Sequence, residues 1–572
     1  MRPTYFLFVL FISSVVSMAE LPSGVAERAV ASPLRSHFIQ PTRVVWRSDA
    51  GVQNAENLLG KKPGQVVLKD AQPPLTLAPK AGVLLDFGVE IQGSVELFIP
   101  MLPDKEPRRV RVRFGESANE AMSELGEKGA QNDHATRDET VTLPWLGRKS
   151  IGPSGFRFVR IDNAGDKPAQ LADVRAVLVV RDLPYAGSFK CDDERLNRIW
   201  QVGAYTVHLN MQEYLWDGIK RDRLVWIGDM HPETSTIAAV FGANEVVPRS
   251  LDLTRDVTPV SEWMNGISSY SMWWVLIHEQ WWLHTGDRAY LAQQQPYLTA
   301  LLKKFAALIG EDGREKIDGM RFLDWPSSPN KQGVTAGLQG LLVMTLDTGA
   351  RLMTTLGDAD TARVCSDAAA RGRKVVPEVN GSKSGAALLS LAGMTDPKQT
   401  AALLKRDGAK GVSTFYGFYV LQALAKAGET DAALDIVRTY WGAMLDRGAT
   451  TFWEDFDLAW LEGSGLIDEI TPPGKKDLHG DFGAYCYEGF RHSFCHGWAS
   501  GPTAWLSQNV LGIQPLEPGF AKVRIAPQLG SLKWVEGTYP TPRGPIHVRH
   551  ERQPDGTVKM EVKVPEGVEW SK

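Results

Sequence analysis

Between Glu194 and about residue 512 the apolar residues of this chain recur at helical spacing, whereas on either side they alternate or run in short apolar pieces. Leu298, Leu301, Leu302, Phe305, Leu308 and Ile309 fall on one helical face. So do Leu338, Leu341, Leu342, Leu346, Leu352 and Leu356 after a single offset, and Leu434, Val437, Trp441, Met444 and Leu445 further on. Apolar spacings of three and four mark helices with one buried stripe, so roughly three hundred residues of them predict a large all-α region. A toroid of paired helices buries many single-faced helices economically. A solenoid satisfies the same periodicity.

The flanks read as strands. "VLLDFGVEIQGSVELFI" (Val83 to Ile99) and "RRVRVRFGES" (Arg108 to Ser117), separated by Gly and Pro, give a β-sandwich pattern from about Val44 to Val180. After Pro515 strands return: "TVKMEVKV" (Thr557 to Val564) has period two and follows a Pro554-Asp555-Gly556 turn. At 572 residues the chain exceeds one ordinary core, so two or three domains are expected.

Met1-Arg2, the apolar run Phe6 to Val16 and the small-x-small Ser17-Met18-Ala19 predict a signal peptide over residues 1–19 and an exported protein, periplasmic or secreted. No later apolar run reaches the roughly 18 residues of a membrane helix, so no membrane insertion is expected. A formal net charge of -4 gives no general attraction for nucleic acid or an acidic membrane. The four cysteines are too few for a disulfide scaffold; Cys486 and Cys495 are the closest pair, either bridged or as two free thiols. His278 and His284 stand six apart, off one helical face, which argues against a zinc helix.

Two carboxylate-rich segments flanked by tryptophan carry the chemistry. "WDGIKRDRLVWIGD" (Trp216 to Asp229) interleaves Asp217, Asp222 and Asp229 with Arg221 and Arg223; in "GATTFWEDFD" (Gly448 to Asp457), Glu454 sits beside Trp453. Each alone reads equally well as a salt-bridged loop. Together they suit glycosidic bond hydrolysis, which needs one protonated acid and one ionised base or nucleophile around a sugar, with aromatic walls to stack on it.

At these residues the sequence resembles the α-L-rhamnosidases of glycoside hydrolase family 78. Their motif is close to D-C-P-x-R-E-R-x-x-W-x-G-D, and Asp217 to Asp229 aligns with it. "HGWASGPTAWL" (His496 to Leu506) with the following stretch is similar to the family's passage into its C-terminal β-domain, and "FKCDDERLNRIW" (Phe189 to Trp200) to the start of its (α/α)6 barrel. The resemblance implies a multidomain chain: an N-terminal β-sandwich over 40–186, an (α/α)6 barrel catalytic domain over 187–512 and a small C-terminal β-domain over 513–572. It implies an inverting exo-glycosidase releasing terminal α-L-rhamnose from polysaccharides or glycosides, with a carbohydrate as its partner and no cofactor or metal. A related glycosidase for another sugar, or a silent carbohydrate-binding relative, remains the alternative. Oligomeric state stays open.

Carried over residue by residue, the general acid is Asp222 and the general base Glu454. Asp217 and Asp229 are implied to hold sugar hydroxyls and to help keep Asp222 protonated. Arg221 is implied to order the carboxylates or bind the sugar, Trp226, Trp325 and Trp453 to stack on it, and His496 to contact it. The family's acid is Glu, and Asp222 is shorter by about 1.5 Å. Either the backbone moves inward, the sugar sits differently, or the acid has been lost. The polar interval Thr471 to Ser493 is longer than the family pattern, so Tyr485, Arg491 and His492 are expected either to read an extra group such as a uronate carboxylate or to form an ordered surface loop.

Overall fold

The computed structural model describes residues 23–69 and 72–572, and the expected signal peptide lies outside them. The chain divides into two compact units, residues 1–33 and 34–572. In the first, Ser23–Ala26 forms one helical turn. No helix among the described residues is long and apolar enough to cross a membrane.

The second unit begins with a seven-stranded antiparallel sheet. Its order is Leu34–Ile39, Asp173–Arg181, Gly82–Ile99, Gly147–Asn163, Arg108–Gly115 and Asp138–Leu143, with Arg43–Arg47 also paired to Gly82–Ile99. A three-stranded sheet of Val52–Gln53, Leu75–Leu77 and Ala169–Leu171 shares its apolar core. Leu75 and Leu77 pack there with Val83, Leu85, Val110, Val112 and Ile161, which is why the period-two pattern is so regular here.

From Glu194 to Val510 the chain is helical, with loops between. Asp193 starts the first helix by accepting from the amides of Arg195 and Leu196. Two kinds of helix alternate. In Ser268–Thr285, residues 268–278 are buried without a break, the mark of a helix surrounded on all sides. Arg288–Ala307 buries only the stripe Leu291, Gln294, Leu298, Leu301, Leu302, Phe305 and Ala306. The enclosed helices pack in a cycle: Met230–Val240 on Ser268–Thr285, then Lys331–Leu356, Lys383–Leu391, Gly417–Lys426 and Gly501–Trp505, which returns to Met230–Val240.

A four-stranded antiparallel sheet lies against the helices, sharing their apolar cluster through Val535, Tyr539, Ile546 and Val548. Its edge strand is Ser188–Cys191, paired with Trp534–Tyr539, so the residues just before the first helix belong to the last sheet. The N-terminal sheet docks on the segment carrying Glu454. Arg157, paired with Asp86, donates from Nη1 to the Gly448 carbonyl at 2.9 Å, and the Glu90 amide donates to Thr450 Oγ1 at 3.0 Å.

Candidate active site

The segment 216–229 is a loop that closes on its own aspartate. Asp217 Oδ2 accepts the Asp222 amide at 2.8 Å, and Oδ1 accepts the Leu224 amide at 3.0 Å. Ile219 and Ile227 are fully buried and anchor its two ends. Gly228 is required by close approach: a Cβ there would fall 2.4 Å from the Tyr270 ring. That ring delivers its hydroxyl to Asp229 Oδ1 at 2.7 Å. The loop meets residues 496–497 edge to edge, with Gly218 bridged to His496 and the Gly497 amide donating to the Asp217 carbonyl at 2.8 Å.

Arg221 joins the two expected catalytic carboxylates. Its Nη1 donates to Asp222 Oδ1 at 2.8 Å and its Nη2 to Glu454 Oε1 at 2.6 Å. Two such bonds and the fork between them keep the carboxyl oxygens no more than about 8 Å apart. Asp222 also accepts from Trp226 Nε1 at 3.2 Å, and His134 Nε2 lies 3.4 Å from its Oδ1. Asp222 lines the same cavity as Glu454 and so is not swung away from it. Glu454 is fixed from behind by the Ser493 amide on Oε2 at 3.2 Å, while its carbonyl takes hydrogen bonds from Thr414 and the Trp498 indole.

Burial governs the charges here. It pushes Asp217 up to about 7, with the Asp222 charge adding to the effect, and drives Asp229 well above the usual carboxylate range, with Asp217 adding. Burial also raises Glu454, with Arg221 as the largest opposing influence. Asp217 spends both carboxyl oxygens on backbone amides, Oδ2 on Asp222 and Oδ1 on Leu224, while Asp229 accepts the Tyr270 hydroxyl. His496, held well below its ordinary value by burial and Arg221, is neutral. Its Nε2 stands 3.8 Å from Asp217 and Glu454 and 3.9 Å from Asp229. The segments bearing these groups lead into the N-terminal ends of the ring helices Met230–Val240, Ser268–Thr285, Lys331–Leu356 and Gly501–Trp505, ends that favour negative charge.

These groups line a cavity of about 200 Å3, smaller than a drug-sized pocket. Asp217, Arg221, Asp222, Trp226, Asp229, Trp325, Glu454 and His496, all expected from sequence, meet there. Four expected residues do not. Trp453 is 1% exposed and stacked on Phe494 with centroids 4.3 Å apart, so its ring serves the core and faces no ligand. Arg491 lies off the cavity, its guanidinium bound to Asp133 at 2.8 Å and to the Cys486 carbonyl at 3.1 Å, so its charge is already matched. His492 is buried as well, accepting the Asp455 amide on Nε2, and Tyr485 alone of that trio is exposed, stacked on Trp325 at 5.7 Å.

Sequence reasoning missed Tyr270, Phe322, Asn265 and Trp498 on the cavity wall. Trp498 stood two residues from His496 in a quoted segment; the others carry no local signal. It also missed Glu233, a buried carboxylate raised by burial, whose Oε1 would lie 1.8 Å from a Cβ at Gly497. Cys486 and Cys495 are free thiols, Cys486 on the cavity wall and Cys495 fully buried.

One cluster has the makings of a cation site: Glu116, Glu120 and His479, all buried. The Lys220 ammonium already fills that need. It sits 3.0 Å from Glu116 and 3.1 Å from Glu120 and donates to the carbonyls of Phe490 and His492. Glu116 in turn accepts the Phe494 amide at 2.7 Å, so this buried pair ties the N-terminal sheet to both site loops.

Residues 184–376 match the bacterial alpha-L-rhamnosidase 6 hairpin glycosidase domain, and residues 512–571 the bacterial alpha-L-rhamnosidase C-terminal domain. An alpha-L-rhamnosidase of Streptomyces avermitilis is 25% identical over 556 residues, covering 90% of this chain and 51% of its own. One from an Alteromonas species is 25% identical over 530 residues, covering 83% and 54%. The chain thus spans about half the length of the curated relatives it matches. Among solved structures, the Streptomyces avermitilis alpha-L-rhamnosidase complexed with L-rhamnose superposes with a TM-score of 0.69 at 21% identity, covering 94% of this chain and 50% of that one. The Klebsiella oxytoca rhamnosidase with rhamnose bound gives 0.67 at 20% identity, covering 83% and 96%. At such identities the superpositions speak for the fold.

Proposed function

Since the chain is a relative of the α-L-rhamnosidases of glycoside hydrolase family 78, we propose that it is an exo-acting, inverting hydrolase of terminal α-L-rhamnosides in glycosides or polysaccharides. The observation that carries this reading is the Arg221 fork holding Asp222 and Glu454 apart across one small cavity walled by Trp226, Trp325 and Trp498. A cavity of about 200 Å3 suits one terminal sugar better than a run of them. Asp222 delivers a proton to the leaving oxygen. Glu454 takes one from a water on the opposite face. Inversion calls for carboxyl groups about 6.5–9.5 Å apart, a span that the Arg221 bridge accommodates. Asp229 and His496 offer hydroxyl partners at the closed end, and the apolar faces of Trp226 and Trp325 suit the methyl group of a deoxy sugar. The closed ring of six helices supports naming the helical region an (α/α)6 barrel, between an N-terminal sandwich over 40–186 and a C-terminal β-domain over 513–572. The leader over residues 1–19 supports export to the periplasm or beyond.

The test is hydrolysis of an aryl α-L-rhamnoside followed by NMR of the anomer first released, for wild type, Asp222→Asn and Glu454→Gln. The reading expects β-L-rhamnose first and losses of several orders of magnitude in both variants. Retention of the anomer would reverse the mechanism. A wild type that binds rhamnose and cleaves no rhamnoside would leave a binding protein.

A further inference from the structure

Beside the acid a second cavity opens, of about 400 Å3, and it is built almost wholly by the N-terminal sheet. Its walls include Asn132, His134, Thr136, Glu139, Pro153 and Arg223. It neighbours the first cavity: Asp222 lines one and the next residue, Arg223, the other, and His134 Nε2 on its wall lies 3.4 Å from Asp222 Oδ1.

The wall is held in place before any ligand arrives. Asn132 Oδ1 accepts the amides of Arg137 and Asp138 at 2.9 and 3.0 Å, its amide donates to the Asp138 carbonyl at 2.9 Å, and the Thr136 amide donates to Pro153 at 3.2 Å. Asp133 is pinned by Arg491 at 2.8 Å. Opposite stands Arg223, half-buried, its guanidinium lying 4.7 Å over the Trp216 ring. Its one hydrogen bond among the described residues is a long 3.5 Å contact from Nη1 to the Pro153 carbonyl, and no carboxylate pairs with it there. A half-buried fork of donors facing a cavity with its own bonds unmade is a binding group.

If Asp222 is the acid, the leaving oxygen is at Asp222 and the leaving group extends past it, into this second cavity. A larger groove of about 560 Å3, lined by Asp455 and Tyr485 among others, touches neither Asp222 nor Glu454. We propose that the second cavity is the leaving-group site, that it takes a hydroxylated sugar unit rather than a flat aromatic aglycone, and that His134 and Arg223 bind it. The only aromatic ring on its wall is His134, no Trp, Tyr or Phe lines it, and hydrogen-bond donors and acceptors dominate, which suits a hydroxylated unit better than a flat apolar one. This rests on the reading of the chain as a rhamnosidase with Asp222 as its acid.

Two substrates separate the possibilities: a rhamnosyl-glucose disaccharide, whose leaving group needs both a proton and a binding site, and 4-nitrophenyl α-L-rhamnoside, whose leaving group needs little of either. His134→Ala and Arg223→Ala should each lose at least tenfold more kcat/KM on the disaccharide than on the nitrophenyl substrate, with the Arg223 loss chiefly in KM. His134→Asn and Arg223→Gln keep the test open should the alanine variants fold poorly. Equal losses on both substrates, or a selective loss in Tyr485→Ala instead, would overturn the assignment while the proposed activity stands. A wild type inert on both substrates would instead sink the activity itself.

Discussion

Removing Arg221 should change the pH at which the site works more than whether it works. In the wild type its two bonds, 2.8 Å to Asp222 and 2.6 Å to Glu454, are made by a buried guanidinium. A cation at that range lowers a carboxyl pKa by about 1–3 units. Glu454 is already raised by burial and Arg221 is the largest influence pulling it back, so Arg221→Ala pushes it higher still. The base must be ionised to take a proton from water. The acidic limb of kcat/KM against pH therefore moves up by about 1–3 units, and below it activity falls about tenfold per pH unit. Arg221→Lys keeps a charge but cannot bridge both carboxylates, so its limb moves less. Stability drops as well, by about 3–5 kcal/mol, because buried carboxylates lose their cation. The assay is a pH series on an aryl rhamnoside with folding checked at each pH. An unmoved acidic limb, with activity reduced equally at every pH, would refute the view that Arg221 sets the protonation of Glu454.

The stability contributed by Asp217 and Asp455 should decline as pH rises from about 4 to about 7. Asp217 and Asp455 sit near 7 in the fold against an ordinary 3.8, so their contribution is full below the ordinary value and is lost as pH climbs through 7. Asp455→Asn removes one such group, and its fall in urea stability should be shallower by up to about 1.4 kcal/mol per pH unit. Trp325→Ala should raise KM about 2- to 10-fold by removing a stacking face, whereas Trp453→Ala should cost about 3–5 kcal/mol in urea denaturation while KM stays within about twofold. Lys220→Met strands Glu116 and Glu120 in the interior and should cost about 3–5 kcal/mol, partly recovered when both become glutamine. Arg491→Ala should affect acidic and neutral rhamnosides alike, since its charge is matched by Asp133.

What the sequence disclosed follows from how locally each property is encoded. Period two and period 3.6 are readable within ten residues, so strands such as Val558–Lys563 and helices such as Arg288–Ala307 were legible. Ring closure was not, because it is a contact between helices some 260 positions apart. The cavity-lining acids stood in motifs and were found together. Trp453 was misassigned because adjacency along an extended segment says nothing about direction: successive side chains point opposite ways, so Glu454 facing the cavity sends Trp453 into the core. Arg491 was misread because its partner Asp133 lies on a different part of the chain. His134 was invisible for the same reason, a polar loop residue that acquires meaning only when the N-terminal sheet docks.

The loop 216–229 and residues 496–497 meet where the first and last helices of the ring touch, Met230–Val240 against Gly501–Trp505. The site is thus the clasp of the ring. During synthesis Asp217, Arg221 and Asp222 emerge first and wait while over two hundred residues of helix follow. The Arg221 bridge waits on Glu454, and the Gly218–His496 pairing on the segment just before the last ring helix. A chain stalled, clipped or misregistered anywhere along the ring has no half-working site. Under the proposed activity, turnover is then a direct readout of completed folding.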